Sequence, residues 1–364
     1  MKKISKRLLA LLLTFTICGT LLVGCSGSNQ DKNDVSKEAE VRTVTDTLGN
    51  VVEVPKDISK IAVIPIPWSS VIYSIDGSSE RMAAINPSAM KAYSGSFLEK
   101  LDPNYGKIET NCIGTDLSMN VEELAKQGVQ AAVIWDYQED EAKQLTKLGI
   151  TPIMIKNGTV KELQASFKAI GELLGKEKRA QQFIDSYSET YKELQSFSDK
   201  IDKAAKPKVL YLRNPKLELQ GNDNFIKEAM NLAGANNTTA NLSNITMEEI
   251  FKINPDIILL SNFDAFIPED LYENRIDGQD WSNVAAVKNH RVYKTPIGIY
   301  RWDAPGVETP LMMKWMAQLF QPEIFSNIDI NKELKDYFKT YFSYDVSDDE
   351  VSQILNNSAN TNSK

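Results

Sequence analysis

The chain has 364 residues, three cysteines, a single histidine and a formal net charge of −8. This acidity disfavours nucleic acid as a partner, because a nucleic-acid surface is itself densely negative. One histidine cannot supply the converging imidazole ligands by which proteins hold bare zinc or manganese, so the composition argues against a receptor for such ions.

The first 24 residues have the pattern of a lipoprotein signal peptide. Four basic residues lie within the first seven positions, a mostly apolar stretch follows over residues 8–23, and it ends in Leu22-Val23-Gly24-Cys25. Small residues before a cysteine are typical of lipoprotein processing, which would remove residues 1–24 and attach diacylglycerol to Cys25. An uncleaved membrane anchor is the alternative. It needs about 20 mostly apolar residues, whereas threonine and glycine interrupt this stretch.

Lipidation of Cys25 would hold the protein at the extracytoplasmic face of the cell membrane through a polar linker over residues 25–40. The leader carries four positive charges and no negative ones, so the mature chain would have a net charge of −12 rather than −8. Cys18 lies in the leader, which leaves Cys112 as the only cysteine of the folded body. No internal disulfide is predicted, and a body of this size does not need one.

An αβ lobe is predicted over residues 41–177. It opens with alternating apolar and polar residues around Gly49-Asn50, the pattern of a β-hairpin. Short apolar runs without polar alternation follow, as expected of strands that are covered on both faces. The predicted buried strands of this lobe, outside the repeat described next, are residues 61–64, 82–85 and 152–155.

A unit of helix followed by strand occurs twice, 126 positions apart. Residues 120–126 and 246–252 each begin with Asn or Thr, which are good helix N-cap residues, and each places two glutamates in the first helical turn. Apolar runs over residues 131–135 and 257–260 come next. The repeat predicts one lobe built twice on parallel sheets, although two unrelated helix–strand units would share the same pattern.

One long helix is predicted between the lobes. Apolar side chains recur at three- and four-residue steps from residue 180 to residue 201 without glycine or proline. The bridging helix is therefore assigned to residues 178–205 and a second αβ lobe to residues 206–355. The polar residues 356–364 are assigned to a disordered tail.

No enzymatic motif is present in the sequence. It contains neither the glycine-rich phosphate or dinucleotide loops nor the Gly-x-Ser-x-Gly elbow of the hydrolases. His290 stands in a turn that enters a strand, with no nucleophile beside it. Acid–base catalysis by carboxylates such as Asp264 and Asp303 is the competing interpretation, which spacing does not test. The chain is predicted not to be an enzyme.

Four further segments follow the cleavage motif Leu22-Val23-Gly24-Cys25 along the chain. They are Thr45-Asp46-Thr47-Leu48-Gly49-Asn50, Asn120-Val121-Glu122-Glu123-Leu124, Asn254-Pro255-Asp256-Ile257-Ile258-Leu259 and Trp302-Asp303-Ala304-Pro305-Gly306-Val307-Glu308. Through them nearly the whole mature chain resembles the class III substrate-binding lipoproteins of ABC importers for iron-siderophores, haem, cobalamin and similar chelates. The resemblance implies an α/β fold of two lobes with mainly parallel sheets, joined by one long rigid helix, with the ligand cleft between the lobes.

The resemblance also gives two glutamates a role. Members of that family dock on the permease through one surface glutamate per lobe, and the matching positions here are Glu122 and Glu248. The alternative for any carboxylate in a first helical turn is stabilisation of the helix dipole. We assign that simpler role to the neighbouring Glu123 and Glu249.

The ligand site is expected on loops at the carboxyl ends of the strands, where an open α/β sheet leaves a crevice. Aromatic rings with arginine suit a flat or aromatic anionic chelate, because the rings supply contact area and guanidinium groups fork carboxylates or catecholates. The alternative for each aromatic is a plug at the edge of a lobe core. The predicted ligand-binding residues are Trp68, Ser69, Trp135, Tyr137, Arg213, Asn262, Tyr300, Arg301 and Trp302.

The predicted function is that of a lipid-anchored receptor that binds a metal chelate, first of all an iron-siderophore-like complex, and delivers it to an ABC importer. Haem held by Tyr137 or Tyr300, a corrinoid, and an oxyanion such as molybdate or tungstate stay open, as does a sensor lipoprotein that presents its ligand to another protein. The predicted partners are the permease dimer with its ATPase, the chelate, and the membrane through Cys25. The receptor is expected to be a monomer without a cofactor of its own.

Overall fold

The computed structural model describes residues 40–363. The predicted signal peptide, the lipidation of Cys25 and nearly all of the predicted linker lie outside the described residues.

Strands and helices alternate along the described chain. The strands are β1 Val41–Thr45, β2 Val51–Pro55, β3 Ile61–Val63, β4 Met82–Ile85, β5 Ala131–Trp135, β6 Thr151–Ile155, β7 Lys208–Leu212, β8 Asn236–Asn237, β9 Ile257–Leu260 and β10 Val292–Lys294. The helices are α1 Trp68–Asp76, α2 Pro87–Tyr93, α3 Leu98–Leu101, α4 Val121–Lys126, α5 Glu139–Lys147, α6 Val160–Leu174, α7 Glu177–Ser198, α8 Asn224–Leu232, α9 Met247–Ile253, α10 Pro268–Tyr272, α11 Ala285–Lys288, α12 Thr309–Phe320, α13 Ile330–Phe342 and α14 Asp348–Ile354.

Each lobe is built on a four-stranded parallel sheet. The strand order is β4-β3-β5-β6 in the first lobe and β10-β9-β7-β8 in the second. The inner strands β3 and β9 are buried along their whole length, as is β5 up to its last residue. Continuous burial explains why these strands carry uninterrupted apolar runs rather than alternating ones. The predicted fold class of two αβ lobes with parallel sheets is confirmed.

Both copies of the helix–strand repeat are present. In α4 the side chain of Asn120 accepts a hydrogen bond from the Glu123 N–H at 3.1 Å. In α9 the Thr246 hydroxyl accepts from the Glu249 N–H at 3.2 Å, while the Glu249 carboxylate accepts from the Thr246 N–H at 2.8 Å. These caps satisfy amide groups that a helix start leaves unpaired, so each short helix begins where its cap residue stands.

The bridging helix is shorter than predicted. α7 is 22 residues long, and at 1.5 Å per residue it spans about 33 Å. It ends at Ser198, and a separate turn of 3₁₀-helix follows over Lys203–Ala205, where the Asp202 carboxylate accepts from the Ala204 N–H at 2.9 Å. Ile201 is buried although it lies beyond the helix, which is why the apolar pattern in the sequence extended too far.

The predicted disordered tail is wrong for residues 356–363. The side-chain oxygen of Asn360 accepts from the Lys294 N–H at 2.7 Å, and its amide nitrogen donates to the Lys294 carbonyl at 3.2 Å. Ser363 lies 3.0 Å from the Tyr272 hydroxyl. Because β10 is an edge strand, its outer backbone groups need partners, and the polar side chains of the tail supply them.

One continuous apolar core runs through both lobes. It contains residues of β3 and β5 from the first sheet, of β7 and β9 from the second, and of α6, α7, α12 and α13. Smaller cores cover the other face of each sheet. α7 packs against α6 on one side and against α8 and α12 on the other. A wide opening of the lobes would have to break this shared close packing, so the crevice between them is largely preformed.

Candidate functional site

The carboxyl ends of the two sheets meet at a small apolar cluster. Ile66, just beyond β3, packs with Ala92, Tyr300 and Ala304, of which the last two come from the loop after β10. Beside this cluster the Phe97 N–H donates to the Gly298 carbonyl at 2.8 Å. The loops that follow the strands of both lobes therefore face a common crevice, the position at which open α/β sheets hold ligands.

The second lobe lines its side of the crevice with two arginines around one phenylalanine. Arg213 directly follows β7, Phe263 follows β9, and Arg301 follows β10 in the chain. The guanidinium carbon of Arg213 lies 4.1 Å from the centre of the Phe263 ring, and that of Arg301 lies 5.1 Å from it. Phe263 is 37% exposed, so the ring is open to a ligand while both cations contact it. We call these three residues the Arg–Phe cluster.

Neither arginine of the cluster is engaged in a close ion pair within the described residues. Across residues 40–363 no carboxylate forms an ion pair with Arg213 or Arg301; the partner of Arg213 is the neutral Gln220, whose side-chain oxygen accepts at 2.7 Å. The amide nitrogen of Gln220 donates to the Asp303 carbonyl at 3.1 Å and so fixes this arginine to the neighbouring loop. Arg275, by contrast, forms ion pairs with three carboxylates. Two guanidinium groups close to one exposed ring and without ion-paired carboxylates have the chemistry of an anion-binding surface.

The nearest buried acid is turned away from the crevice. Asp303 is 1% exposed, and its carboxylate accepts hydrogen bonds from the Ser261 hydroxyl and from the Asn262 N–H. Burial raises the pKa of Asp303, and these hydrogen bonds and the charge of Arg301 oppose the rise. Asp303 therefore fixes the loop after β9 and is enclosed where it cannot act on a ligand as an acid or base.

The first lobe offers an aromatic pair at the ends of β5 and β6. The rings of Trp135 and Tyr137 stack with centres 6.3 Å apart and planes 17° apart, and Tyr137 is 67% exposed. Beside them Lys156 and Asp136 form an ion pair at 3.6 Å. A cavity of about 370 Å³ is lined by these residues and by Glu162. Burial raises the pKa of Tyr137, and the charges of Asp136 and Glu141 add to the rise, so its phenol is protonated at neutral pH.

Several predicted ligand residues lie inside the protein instead. Trp68 is fully buried at the start of α1, where its ring packs edge-on against Phe167 at 5.9 Å. Trp302 is 1% exposed. Ser69 is 2% exposed, and its hydroxyl accepts from that of Tyr105 at 2.6 Å. The prediction that these three side chains face the cleft is wrong, because α1 and the loop after β10 turn them into the shared core.

Asn262 and Tyr300 serve the architecture of the crevice. The Asn262 side chain donates to the carbonyls of Thr295 and Pro296, so it points inward rather than toward the opening. Tyr300 is 8% exposed within the apolar cluster, and burial raises its pKa to about 12. Of the nine predicted positions, Arg213, Arg301, Trp135 and Tyr137 remain available to a ligand. Phe263 was not among the predicted residues, although it follows the buried strand β9 by three positions.

A buried carboxyl group supports the loop that carries Arg301. Glu308 is 4% exposed and accepts from the Tyr300 N–H at 3.2 Å. Burial raises its pKa from 4.5 to about 8, against the hydrogen bond from the Tyr300 N–H, which lowers it. At neutral pH the folded protein therefore holds a proton on Glu308.

We expect this proton to make the stability depend on pH. Between pH 4.5 and about 8 the carboxyl group of Glu308 is protonated in the folded state and ionised in the unfolded state. Its contribution to the free energy of unfolding is therefore complete below about pH 4.5 and is lost as pH rises through about 8. Replacing Glu308→Gln should flatten this decline by roughly 1–4 kcal/mol, measured as the difference in free energy of unfolding by urea between acidic and alkaline buffer. An unchanged decline in the variant would contradict the assignment.

The two predicted docking glutamates differ from their neighbours. Glu122 and Glu248 are both exposed, and neither makes a hydrogen bond or ion pair with another described residue. Glu249 is occupied by the cap of α9, and Glu123 pairs with Lys126 at 3.5 Å. Both glutamates thus project free carboxylates from equivalent helix starts of the two lobes.

A cavity of about 740 Å³ opens next to Glu122. Its walls are the segment before α4 and the end of α5, including Met119, Gln144, Lys147 and the exposed Leu148. All of its lining residues belong to the first lobe, so it is separate from the crevice. It gives the surface around Glu122 a recess with apolar and polar walls.

A metal site and a membrane-spanning helix are two further features that would indicate function. Within residues 40–363 no group of three His, Cys, Asp or Glu side chains is placed to hold a metal ion. No helix in that same range is both long and apolar enough to cross a membrane.

Comparison with known proteins decides the family. The sequence profile described as "Periplasmic binding protein" matches residues 112–297, about half of the chain. The chain belongs to the periplasmic binding protein family. The resemblance to class III receptors drawn from the sequence is confirmed. Members of the family are substrate-binding proteins rather than enzymes, and this periplasmic binding protein is a solute receptor of an ABC transporter, which works with a permease and an ATPase.

Three similar proteins illustrate the range within the family. A crystal structure of a periplasmic solute binding protein from Veillonella parvula is 40% identical, with a TM-score of 0.84, and the match covers 88% of this chain and 99% of that one. The molybdate-binding protein MolA of Haemophilus influenzae is 22% identical over 86% of this chain and 94% of its own length. The ABC transporter substrate-binding lipoprotein YvrC of Bacillus subtilis is 27% identical over 76% of this chain and 86% of its own.

Proposed function

We propose that this receptor binds an anionic metal chelate of the iron-siderophore kind in the crevice between its lobes. The observation that carries the proposal is the Arg–Phe cluster, in which two guanidinium groups without carboxylate partners contact one exposed ring. A protein gains nothing in stability by holding two like charges close together without counter-charges, so the arrangement favours a ligand that supplies the negative charge.

The chemistry of the cluster suits a chelate better than a simple ion. Each guanidinium presents parallel N–H groups that match the paired oxygens of a carboxylate or catecholate. Phe263 adds a flat apolar surface beside the two cations, which a small, strongly hydrated oxyanion would leave uncovered. A ligand with both anionic oxygens and aromatic or apolar surface fits all three residues.

The aromatic pair of the first lobe suits the same class of ligand. Tyr137 presents an exposed aromatic face stacked on Trp135, and Lys156 adds a cation that Asp136 partly compensates. A chelate of several hundred cubic ångströms is a usual size for a crevice of this kind. Contact with aromatic faces on one lobe and with charge on the other would orient an asymmetric ligand.

A titration tests the proposal. Tryptophan fluorescence of residues 41–364 is followed while ferric siderophores, haem, cobalamin, molybdate and bare metal ions are added, with inner-filter controls. We expect saturable quenching by an anionic ferric chelate, because coloured iron complexes near Trp135 quench indole emission. Silence toward every chelate would contradict the proposal.

Molybdate is the second candidate, favoured by the similarity to MolA across nearly the full length of both chains. A response to molybdate alone would assign the two arginines to oxyanion binding. Haem and corrinoids are decided by the same titration through their own absorption changes.

Delivery to the permease is proposed to use Glu122 and Glu248. Two exposed carboxylates on equivalent helix starts could each meet a basic pocket and so fix the orientation of the receptor over the pore. The cavity beside Glu122 supports this role, since it could accept a side chain of the partner. The lipid anchor at Cys25, proposed from the lipobox, would keep the receptor near the permease at the extracytoplasmic face of the membrane.

A further inference from the structure

A buried lysine lies behind the Arg–Phe cluster. Lys294 is the last residue of β10 and is 6% exposed. Its ammonium group donates hydrogen bonds to three backbone carbonyls, those of Ser261 at 2.7 Å, Asp264 at 2.7 Å and Phe266 at 2.8 Å. All three belong to residues 261–266, the loop that follows β9 and carries Phe263.

Burial of the charged Lys294 ammonium group costs free energy, and the packing of its apolar stem alone would not offset that cost. Burial lowers its pKa to about 8, while the charges of Asp303, Asp264 and Asp270 raise it and that of Arg301 lowers it. A lysine is rarely found this deep unless all of its donors are paired, and here its three protons have three acceptors. An apolar residue at this position would fill the space without the cost of burying a charge.

The loop is fixed from its other side by Asp303. That carboxylate accepts from the Ser261 hydroxyl and from the Asn262 N–H, and the Phe263 N–H donates to the Ser261 hydroxyl at 3.1 Å. The loop is therefore held at its start by Asp303 and along its length by Lys294. Phe263 projects from it toward the two arginines.

We propose that Lys294 is a positioning residue of the ligand site, which holds the loop 261–266 so that Phe263 stays in contact with Arg213 and Arg301. This inference rests on the proposed function of the Arg–Phe cluster. Lys294 does not touch the ligand; it acts through the backbone of the loop, by preorganising the aromatic face before a ligand arrives.

The test replaces Lys294→Met, which keeps the apolar stem and removes all donors. The control is Lys208→Met, because Lys208 is a partly buried lysine at the amino end of the same sheet, and its ammonium group donates to one backbone carbonyl, that of Ile253 at the end of α9, at 2.6 Å. Hydrogen exchange of the amides of Asn262, Phe263 and Ala265 is measured without ligand, together with affinity for the ferric chelate that quenches the wild type and with the melting temperature.

We expect the three amides to exchange at least about tenfold faster in Lys294→Met and the affinity to fall about tenfold, since three hydrogen bonds to the loop are lost. Lys208→Met should leave both unchanged. Equal exchange in the two variants would overturn the proposal, whatever happens to the melting temperature. If the methionine variant does not fold, Lys294→Gln replaces it, and its remaining amide donors should give intermediate exchange.

The two proposals fail in different ways. If no chelate binds the wild type, the proposed function fails, and the exchange measurement still decides whether Lys294 orders the loop. If the chelate binds and Lys294→Met binds it as tightly as Lys208→Met does, the receptor function stands and the positioning role is refuted.

Discussion

Replacing both Arg213 and Arg301 with alanine should weaken binding of the anionic chelate on the order of a thousandfold. A hydrogen bond to a charged group contributes about 1.5–3 kcal/mol, and each guanidinium can make at least one, so the pair contributes about 4 kcal/mol. The single variants should each lose a factor of about 10–100. The measurement is the dissociation constant from fluorescence titration of the soluble body.

The control for this prediction is Arg275→Ala. Arg275 also lies in the second lobe and is about half exposed, but it is already paired with Glu269, Asp270 and Glu273, so its loss should leave the dissociation constant unchanged. The substitutions Arg213→Lys and Arg301→Lys keep the charge and lose the fork, so they should fall between wild type and alanine. A double alanine variant that binds like the wild type would remove the Arg–Phe cluster from the ligand site.

Charge reversal at Glu122 and Glu248 should stop uptake without affecting binding. Each reversed side chain would bring a cation to a surface that is expected to be basic, where like charges close together repel by several kcal/mol. In cells that produce Glu122→Lys, Glu248→Lys as the sole receptor, uptake of labelled chelate should fall at least about tenfold, while the purified variant keeps its dissociation constant.

Glu123 supplies the control for docking. It follows Glu122 in the same helical turn and pairs with Lys126, so Glu123→Lys should reduce uptake far less. Normal uptake by the doubly reversed receptor would contradict docking through these glutamates. Combined with intact binding, that result would favour a lipoprotein that presents its ligand to a sensor.

The sequence predicted the architecture of this receptor because its strands are buried on both faces. Runs such as Ile257–Leu260 have no polar alternation. An apolar strand that follows a capped helix is typical of a parallel sheet in an α/β fold. Glu249 caps its own helix and Glu122 has no side-chain partner among the described residues, as the roles assigned from the family resemblance require. Apolar runs and helix caps depend on residues that are close together in the chain, so they can be predicted from the sequence.

The site was harder to predict because it depends on how a loop turns. Trp68 and Arg213 both follow a buried strand, yet the Trp68 ring is fully buried whereas the Arg213 side chain reaches the exposed ring of Phe263. The difference is that α1 begins at Trp68 itself and turns its first residues into the core, which periodicity does not determine. Likewise the tail was predicted to be disordered from its polarity, although Asn360 uses that polarity to pair with an edge strand.

Lys294 illustrates what sequence alone does not reveal. It ends a short apolar strand and is indistinguishable in the sequence from a solvent-exposed lysine at a strand end. Only the three carbonyls around its ammonium group show that it is bound to the loop that carries Phe263. Long-range contacts of this kind, in which one side chain holds a distant loop, are where structure adds most to the prediction.

The most direct test of the account compares two ferric chelates that differ in charge. Isothermal titration calorimetry of the soluble body is carried out with a trianionic ferric tris-catecholate and with a neutral ferric tris-hydroxamate of similar size. If Arg213 and Arg301 recognise negative charge, the tris-catecholate should bind at least about tenfold more tightly, and added salt should reduce the difference. Equal affinity for the two chelates, or preference for the neutral one, would contradict the central claim.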